Sequence, residues 1–379
     1  MENKQTYWST GSVWRSLLLL IPMMLIISLM LGSNFMSDDK IRVMAFMSTF
    51  TFFGTMFWKM LFTGQTDKWR AVVFITAALL FSISFISNLI SLRGTMTFAN
   101  DDALTCSIPF CHIVTTMIII PAAVKQTIIF PGSLADGFAS ISMMLVIVIG
   151  FSVVLGRGFC SWGCFYGGWD DATSRLRSKP VIKGVNNAYR WFSFAVLIMM
   201  ALWSAEAVGP VYCSWLCPFK AVTENEQIVD TVTLLKNICF CTTFIVLVIV
   251  LPMLTKKRIQ CATFCPMGAL LSLFNKINIF EVKNDKSKCI GCGKCDHVCP
   301  MLAIDNHCPN MSCSKCGKCV DACPVGALKF HIKCTRIDKY ASLARTLYIF
   351  PAYTFMVTLL GGSVINGLTV AIKMIMNLF

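Results

Sequence analysis

Charge is what this sequence has least of. Only 14% of its 379 residues are Asp, Glu, Lys or Arg, against 56% hydrophobic, too few to give a chain of this length a water-soluble surface. The same balance excludes a disordered chain, a collagen-like fibre and a small disulfide scaffold. Histidine is scarce, with four in all, and His112 alone lies in the apolar portion. Paired axial histidines for a buried b-type haem are therefore lacking, and no C-x-x-C-H run offers haem attachment. Neither G-x-G-x-x-G nor a phosphate loop is present, so nothing supports nucleotide chemistry.

What is present begins with apolar runs of roughly 20 residues, the length that crosses a hydrocarbon core of about 30 Å. They read as seven spans: Trp14 to Leu31, Val43 to Phe62, Arg70 to Ile90, Phe138 to Leu155, Trp191 to Val208, Leu234 to Leu254 and Leu347 to Met374. The stretch from Ile113 to Phe130, interrupted by Pro121 and Lys125, reads as re-entrant or surface-lying. Met1 to Thr10 is polar and no small-residue cleavage site follows, so no cleaved signal is expected.

Lys and Arg collect on the cytoplasmic side of membrane proteins. With the N-terminus inside, the short inner segments hold eleven of them against seven outside. Lys256-Lys257-Arg258 follows the sixth span and puts the polar region up to Arg345 inside as well, with the C-terminus outside. That region holds 15 Lys/Arg and 6 Asp/Glu, a surface suited to the lipid of an anionic inner leaflet rather than to nucleic acid. Asp170-Asp171 reads by default as a pair of solvated loop charges, with proton carriage or a quinone site as the alternative.

Twenty cysteines need a common explanation. Cys289, Cys292, Cys295 and Cys299-Pro300 follow C-x2-C-x2-C-x3-C-P, and Cys313, Cys316, Cys319 and Cys323-Pro324 repeat it. This is the bacterial two-cluster ferredoxin pattern, in which the fourth cysteine of each run serves the other cluster. One [4Fe-4S] cluster then takes Cys289, Cys292, Cys295 and Cys323, and the second takes Cys313, Cys316, Cys319 and Cys299. Zinc is the plainer alternative for C-x2-C pairs, but a duplicated eight-cysteine run with both prolines is far more specific.

Four further pairs lie at or beside span ends: Cys106/Cys111, Cys160/Cys164, Cys213/Cys217 and Cys261/Cys265. Three of them are four residues apart, a spacing that in a helical turn puts both sulfurs on one face, while Cys106 and Cys111 are five apart. The topology sets Cys160/Cys164 and Cys261/Cys265 toward the inside, and Cys106/Cys111 and Cys213/Cys217 toward the outside. Four thiols on each side match one further [4Fe-4S] cluster each. Disulfides or unrelated thiols remain the alternative, chiefly for the outer pairs. Cys239, Cys241, Cys308 and Cys334 are left over, and His112 beside Cys111 is either a ligand or an interfacial side chain.

The run Arg157-Gly158-Phe159-Cys160-Ser161-Trp162-Gly163-Cys164, then Cys261 to Leu270, then the ferredoxin repeats, resembles the membrane ferredoxins typified by NapH and the C-terminal half of NosR. The likeness covers roughly residues 138 to 333. It implies electron transfer serving reductases outside the membrane, with the inner C-x3-C pairs and the ferredoxin cysteines as ligands. This chain departs at Phe165, where those families have proline after the second cysteine, and in its extra Cys213/Cys217 motif.

The expected fold class is mainly α: a polytopic helical membrane protein of about seven spans with an inserted bacterial-type two-cluster ferredoxin module. The chain divides into N-terminal helices (1–137), a membrane core (138–284), the cytoplasmic ferredoxin module (285–335) and a C-terminal helix (336–379). The expected function is a transmembrane chain of [4Fe-4S] centres in the cytoplasmic membrane. It links a cytoplasmic redox partner protein to a quinone or an external redox partner, as a subunit rather than a stand-alone enzyme. A thiol-disulfide relay and a metal-handling or redox-sensing accessory protein are the alternatives.

Overall fold

A computed structural model describes residues 12–93, 113, 133–134, 137–138, 150, 152–207, 211–217, 230–335 and 340–378. Five helical stretches among them are long and apolar enough to cross a membrane: Val13–Met36, Thr66–Ser87, Asn187–Ala207, Thr231–Thr255 and Ala341–Met376. The protein is a mainly helical, multi-pass membrane protein with a ferredoxin module. The second expected span is a helix of 24 residues, Lys40–Thr63, but is not among these five. Ser48, Thr49, Thr51, Thr55 and Lys59 dilute its apolar character. The fourth, Phe138 to Leu155, and the 113–130 stretch lie mostly outside the described residues.

Helices α1 (Val13–Leu31), α2 (Lys40–Thr63) and α3 (Thr66–Arg93) pack together and against the final helix, here α10 (Ala341–Leu378). On α1 the buried side chains Ser16, Met23, Ile27 and Leu31 fall on one face, while Trp14, Leu18, Ile21, Leu25 and Leu29 are exposed. That distribution fits a helix with one side in lipid. Asp39 caps α2 by accepting from the Ile41 amide at 3.0 Å and also pairs with Lys373 near the end of α10. Tyr353 donates to the Phe53 carbonyl at 2.7 Å.

The middle of the chain supplies α4 (Phe165–Arg175), α5 (Phe192–Ala207), α6 (Thr231–Thr255, with π-helical turns at Phe244–Val250) and α7 (Pro266–Phe274). The ferredoxin module follows. Strands β1 (Phe280–Asn284) and β4 (Leu328–Ile332) close it as an antiparallel pair, with Val282 opposite Phe330, and β2 (Ile304–Asp305) pairs with β3 (Cys308–Pro309). Two short helices, α8 (Lys294–Val298) and α9 (Lys318–Ala322), each follow a glycine in the left-handed region, Gly293 at φ 68° and Gly317 at φ 86°. A side chain disfavours that conformation, so both cysteine-bearing loops depend on glycine to turn into their helices.

The module is docked on the helices rather than tethered to them. At 38 residues α10 runs to about 57 Å by the helical rise, well beyond the hydrocarbon thickness. Its Tyr348 lies 5.5 Å from Phe280 and 5.4 Å from Phe330 of the module's sheet, and 6.2 Å from Trp162 between the Cys160/Cys164 pair.

Candidate iron-sulfur sites

Two cavities in the ferredoxin module are each ringed by four cysteines. One is lined by Cys299, Cys313, Cys316 and Cys319 with Val282, Met301 and Ile304; the other by Cys289, Cys292, Cys295 and Cys323 with Ile290 and Leu328. In both, three cysteines come from one run and the fourth from the other. The local cause is repeated: a left-handed glycine starts the helix carrying the third cysteine, and an extended residue stops it at Cys299 (ψ 116°) or Cys323 (ψ 117°), each followed by proline. Among the described residues, no three His, Cys, Asp or Glu side chains converge on a single metal ion.

The cavities differ in exposure. Cys299, Cys316 and Cys319 are buried, whereas Cys292 and Ile290 are exposed. Burial pushes the Cys313 thiol up to about 12 and also raises Cys319, while a side-chain hydrogen bond from Asn284 lowers Cys289. Loading iron must displace these thiol protons, so assembly releases protons.

The four inner cysteines are also brought together, at 4% exposure for Cys160, 3% for Cys164, 3% for Cys261 and 8% for Cys265. Cys160 sits on a short helix, Phe159–Trp162. Cys164 caps α4, its Sγ accepting from the Gly167 amide at 3.4 Å, and Cys265 stands at the N-terminal boundary of α7 ahead of Pro266. After burial, the charges acting on Cys164 include those of Cys160, Cys265 and Arg258, and Cys160 and Cys164 both act on Cys261. Burial raises all four thiols.

Asp170 and Asp171 are fully buried, not solvated as the sequence implied. The reason is long-range pairing. Asp171 Oδ2 meets Arg70 at 2.9 Å and its Oδ1 meets Arg175 at 3.2 Å, while Asp67 joins Arg70 at 2.8 Å. These arginines hold the Asp171 carboxyl below its usual range. Asp170 Oδ2 accepts from the Cys261 amide at 2.9 Å, and burial pushes its carboxyl up to about 7.

Hydrogen bonds join the segments that carry the inner thiols to those around the buried ferredoxin cavity. Ser161, next to Cys160, donates to Ser314, next to Cys313, at 2.8 Å. The Arg258 amide donates to Pro300 O at 2.7 Å, and Lys257 Nζ to Cys299 O at 2.8 Å. Of the outer set, Cys106, Cys111, His112 and the Cys213 side chain lie outside the described residues. Cys217 is half-buried and accepts from Tyr166 Oη at 3.7 Å, and Gln260 beside Cys261 donates to Tyr212 Oη at 3.1 Å. Cys239 is half-buried and Cys241 exposed on α6; Cys308 lies in β3, and Cys334 is exposed after β4.

The fold and sites define a polytopic membrane protein carrying a two-cluster ferredoxin module. A 4Fe-4S binding domain family matches residues 282–305 and 310–329, and a second family of the same description matches 137–183, 187–225 and 240–283. The chain therefore has sites for at least two [4Fe-4S] clusters. Similar proteins include MJ0749 of Methanocaldococcus jannaschii (30% identity, 42% of this chain and 57% of that protein). The ferredoxin-type protein NapH of Haemophilus influenzae matches at 26% identity (41% and 51%). The methylamine utilization ferredoxin-type protein MauN of Methylobacillus flagellatus matches at 27% (41% and 52%). The chain thus spans little more than half the length of these relatives. Together the matches make the chain similar to the NapH-type 4Fe-4S membrane ferredoxins. No solved structure matches.

Proposed function

We propose that the chain is an electron-transfer subunit that carries electrons across the cytoplasmic membrane between a redox partner protein inside and a quinone or redox partner outside. The ligand sets are Cys289, Cys292, Cys295 and Cys323; Cys313, Cys316, Cys319 and Cys299; Cys160, Cys164, Cys261 and Cys265; and Cys106, Cys111, Cys213 and Cys217. The ferredoxin module and N-terminus are cytoplasmic, the C-terminus is outside, and the boundaries near 137, 284 and 335 separate the four parts. Each [4Fe-4S] cluster, when bound, accepts and releases a single electron. The protein's residues set the order of the centres and keep water from the inner ones.

The observation that carries this reading is the buried Ser161 to Ser314 bond, which joins the residue after one inner cysteine to the residue after a ferredoxin cysteine. The exposed rim at Ile290 and Cys292 gives a soluble partner its point of contact. Tyr166, two residues after Cys164 on α4, donates to Cys217, one member of the proposed outer set.

Reconstitution in lipid vesicles tests it. A reductant supplied to the ferredoxin face should reduce an acceptor trapped on the far side much faster than in empty vesicles. Transfer no faster than in empty vesicles would overturn the conduit.

A further inference from the structure

The two inner pairs sit in matching frames. Arg157 stands three residues before Cys160, and Gly167 three after Cys164; Arg258 stands three before Cys261, and Gly268 three after Cys265. The frames exchange their arginines. Arg157 Nη2 donates to Cys261 O at 2.9 Å, and Arg258 Nη2 donates to Cys160 O at 2.6 Å. Each Nη1 reaches a serine of the opposite frame, Arg157 to Ser272 and Arg258 to Ser161, both at 2.8 Å. The glycines leave the space this exchange needs. A Cβ at Gly167 would lie 2.5 Å from Arg258 Nη2, and one at Gly268 would lie 2.9 Å from Cys261 O and 3.4 Å from Arg157 Nη2.

Both guanidinium groups are fully buried, and the Nε–H of each is without a hydrogen-bond partner. Neither arginine forms an ion pair with a carboxylate among the described residues, unlike buried Arg70 with Asp67 and Asp171. Burying a cation without a counter-anion is strongly unfavourable. Around Arg157 the groups able to supply negative charge are the Cys160, Cys261 and Cys265 thiols; around Arg258 they are the Cys261 and Cys160 thiols together with the Asp171 and Asp170 carboxylates, and its Nη2 is 3.4 Å from Cys261 Sγ. Four thiolates around an oxidised [4Fe-4S] core carry a double negative charge, which two arginines balance. An added electron makes the site more negative, and buried cations favour that state because little solvent screens them.

We propose that Arg157 and Arg258 are a charge-balancing pair for the inner centre: each positions the first cysteine of the opposite frame, and together they raise the centre's reduction potential. The proposal rests on the reading of Cys160, Cys164, Cys261 and Cys265 as a cluster site. The two arginines are positioning residues, linked to electron flow only through the centre they surround.

The test is a redox titration of the anaerobically purified full-length protein, followed by low-temperature paramagnetic resonance with iron determined in parallel. Arg157→Gln and Arg258→Gln should each make the reduced inner centre at least tenfold less favoured, a fall of 59 mV for one electron, with the ferredoxin signals unmoved. Arg157→Lys and Arg258→Lys, which keep the charge, should stay within tenfold of the wild type. Gln variants that keep their iron and potential would overturn the proposal. If a Gln variant loses the inner irons, its Lys counterpart decides: retention at the wild-type potential supports charge balance, and loss overturns it. Wild-type protein with no inner signal would instead sink the cluster-site reading beneath the proposal.

Discussion

Cys261→Ser removes about four irons per chain and the resonance signal of the inner centre, while both ferredoxin signals persist. The expectation follows from the separation of the sites. Cys261 lies with Cys160, Cys164 and Cys265, whereas the ferredoxin cavities are ringed by eight other cysteines. Serine keeps the shape of the side chain but is a poor ligand for iron next to thiolate. Electron transfer across vesicles should fall with the signal. Unchanged iron content and an unchanged spectrum would show that Cys261 holds nothing.

Asp171→Ala lowers stability by about 3–5 kcal/mol, the cost of breaking a buried ion pair from one side. Asp171 is fully buried and serves two cations, Arg70 from α3 at 2.9 Å and Arg175 on its own helix at 3.2 Å. Arg70 also donates to Ser161 O at 2.8 Å, and the Asp67 amide donates to Asp321 Oδ2 of the ferredoxin module at 2.8 Å. The loss is therefore felt where the module docks. Unfolding in detergent micelles measures it; a loss below about 1 kcal/mol, the range of an exposed pair, would show that the network bears little of the docking.

The legible and illegible parts of this chain differ in the range of the contacts behind them. The ferredoxin spacing is local information: Cys289 to Cys295 wraps one loop, Cys299 crosses to the other run, and the structure rings two cavities with those residues. Helix lengths are likewise local, set by apolar runs such as Val13–Met36 and Thr231–Thr255. The shared setting of Cys160, Cys164, Cys261 and Cys265 could be argued from sequence only by placing span ends on one side of a membrane. Arg157 and Arg258 were in plain view, yet what marks them is their exchange across about a hundred residues of chain, which no local pattern encodes. The signal available was the matched spacing, arginine three before and glycine three after each pair. Asp170-Asp171 misled for the same reason, because loop-like polarity says nothing of an arginine arriving from α3. Docking through Tyr348 was equally hidden, since it joins β1, β4 and Trp162 to a helix that begins after the module ends.

The central claim is that the membrane portion holds iron in addition to the ferredoxin module. Iron and acid-labile sulfide per chain, determined on anaerobically purified protein, test it most directly. Four clusters require about sixteen irons; about eight, the content of the ferredoxin module alone, would contradict it.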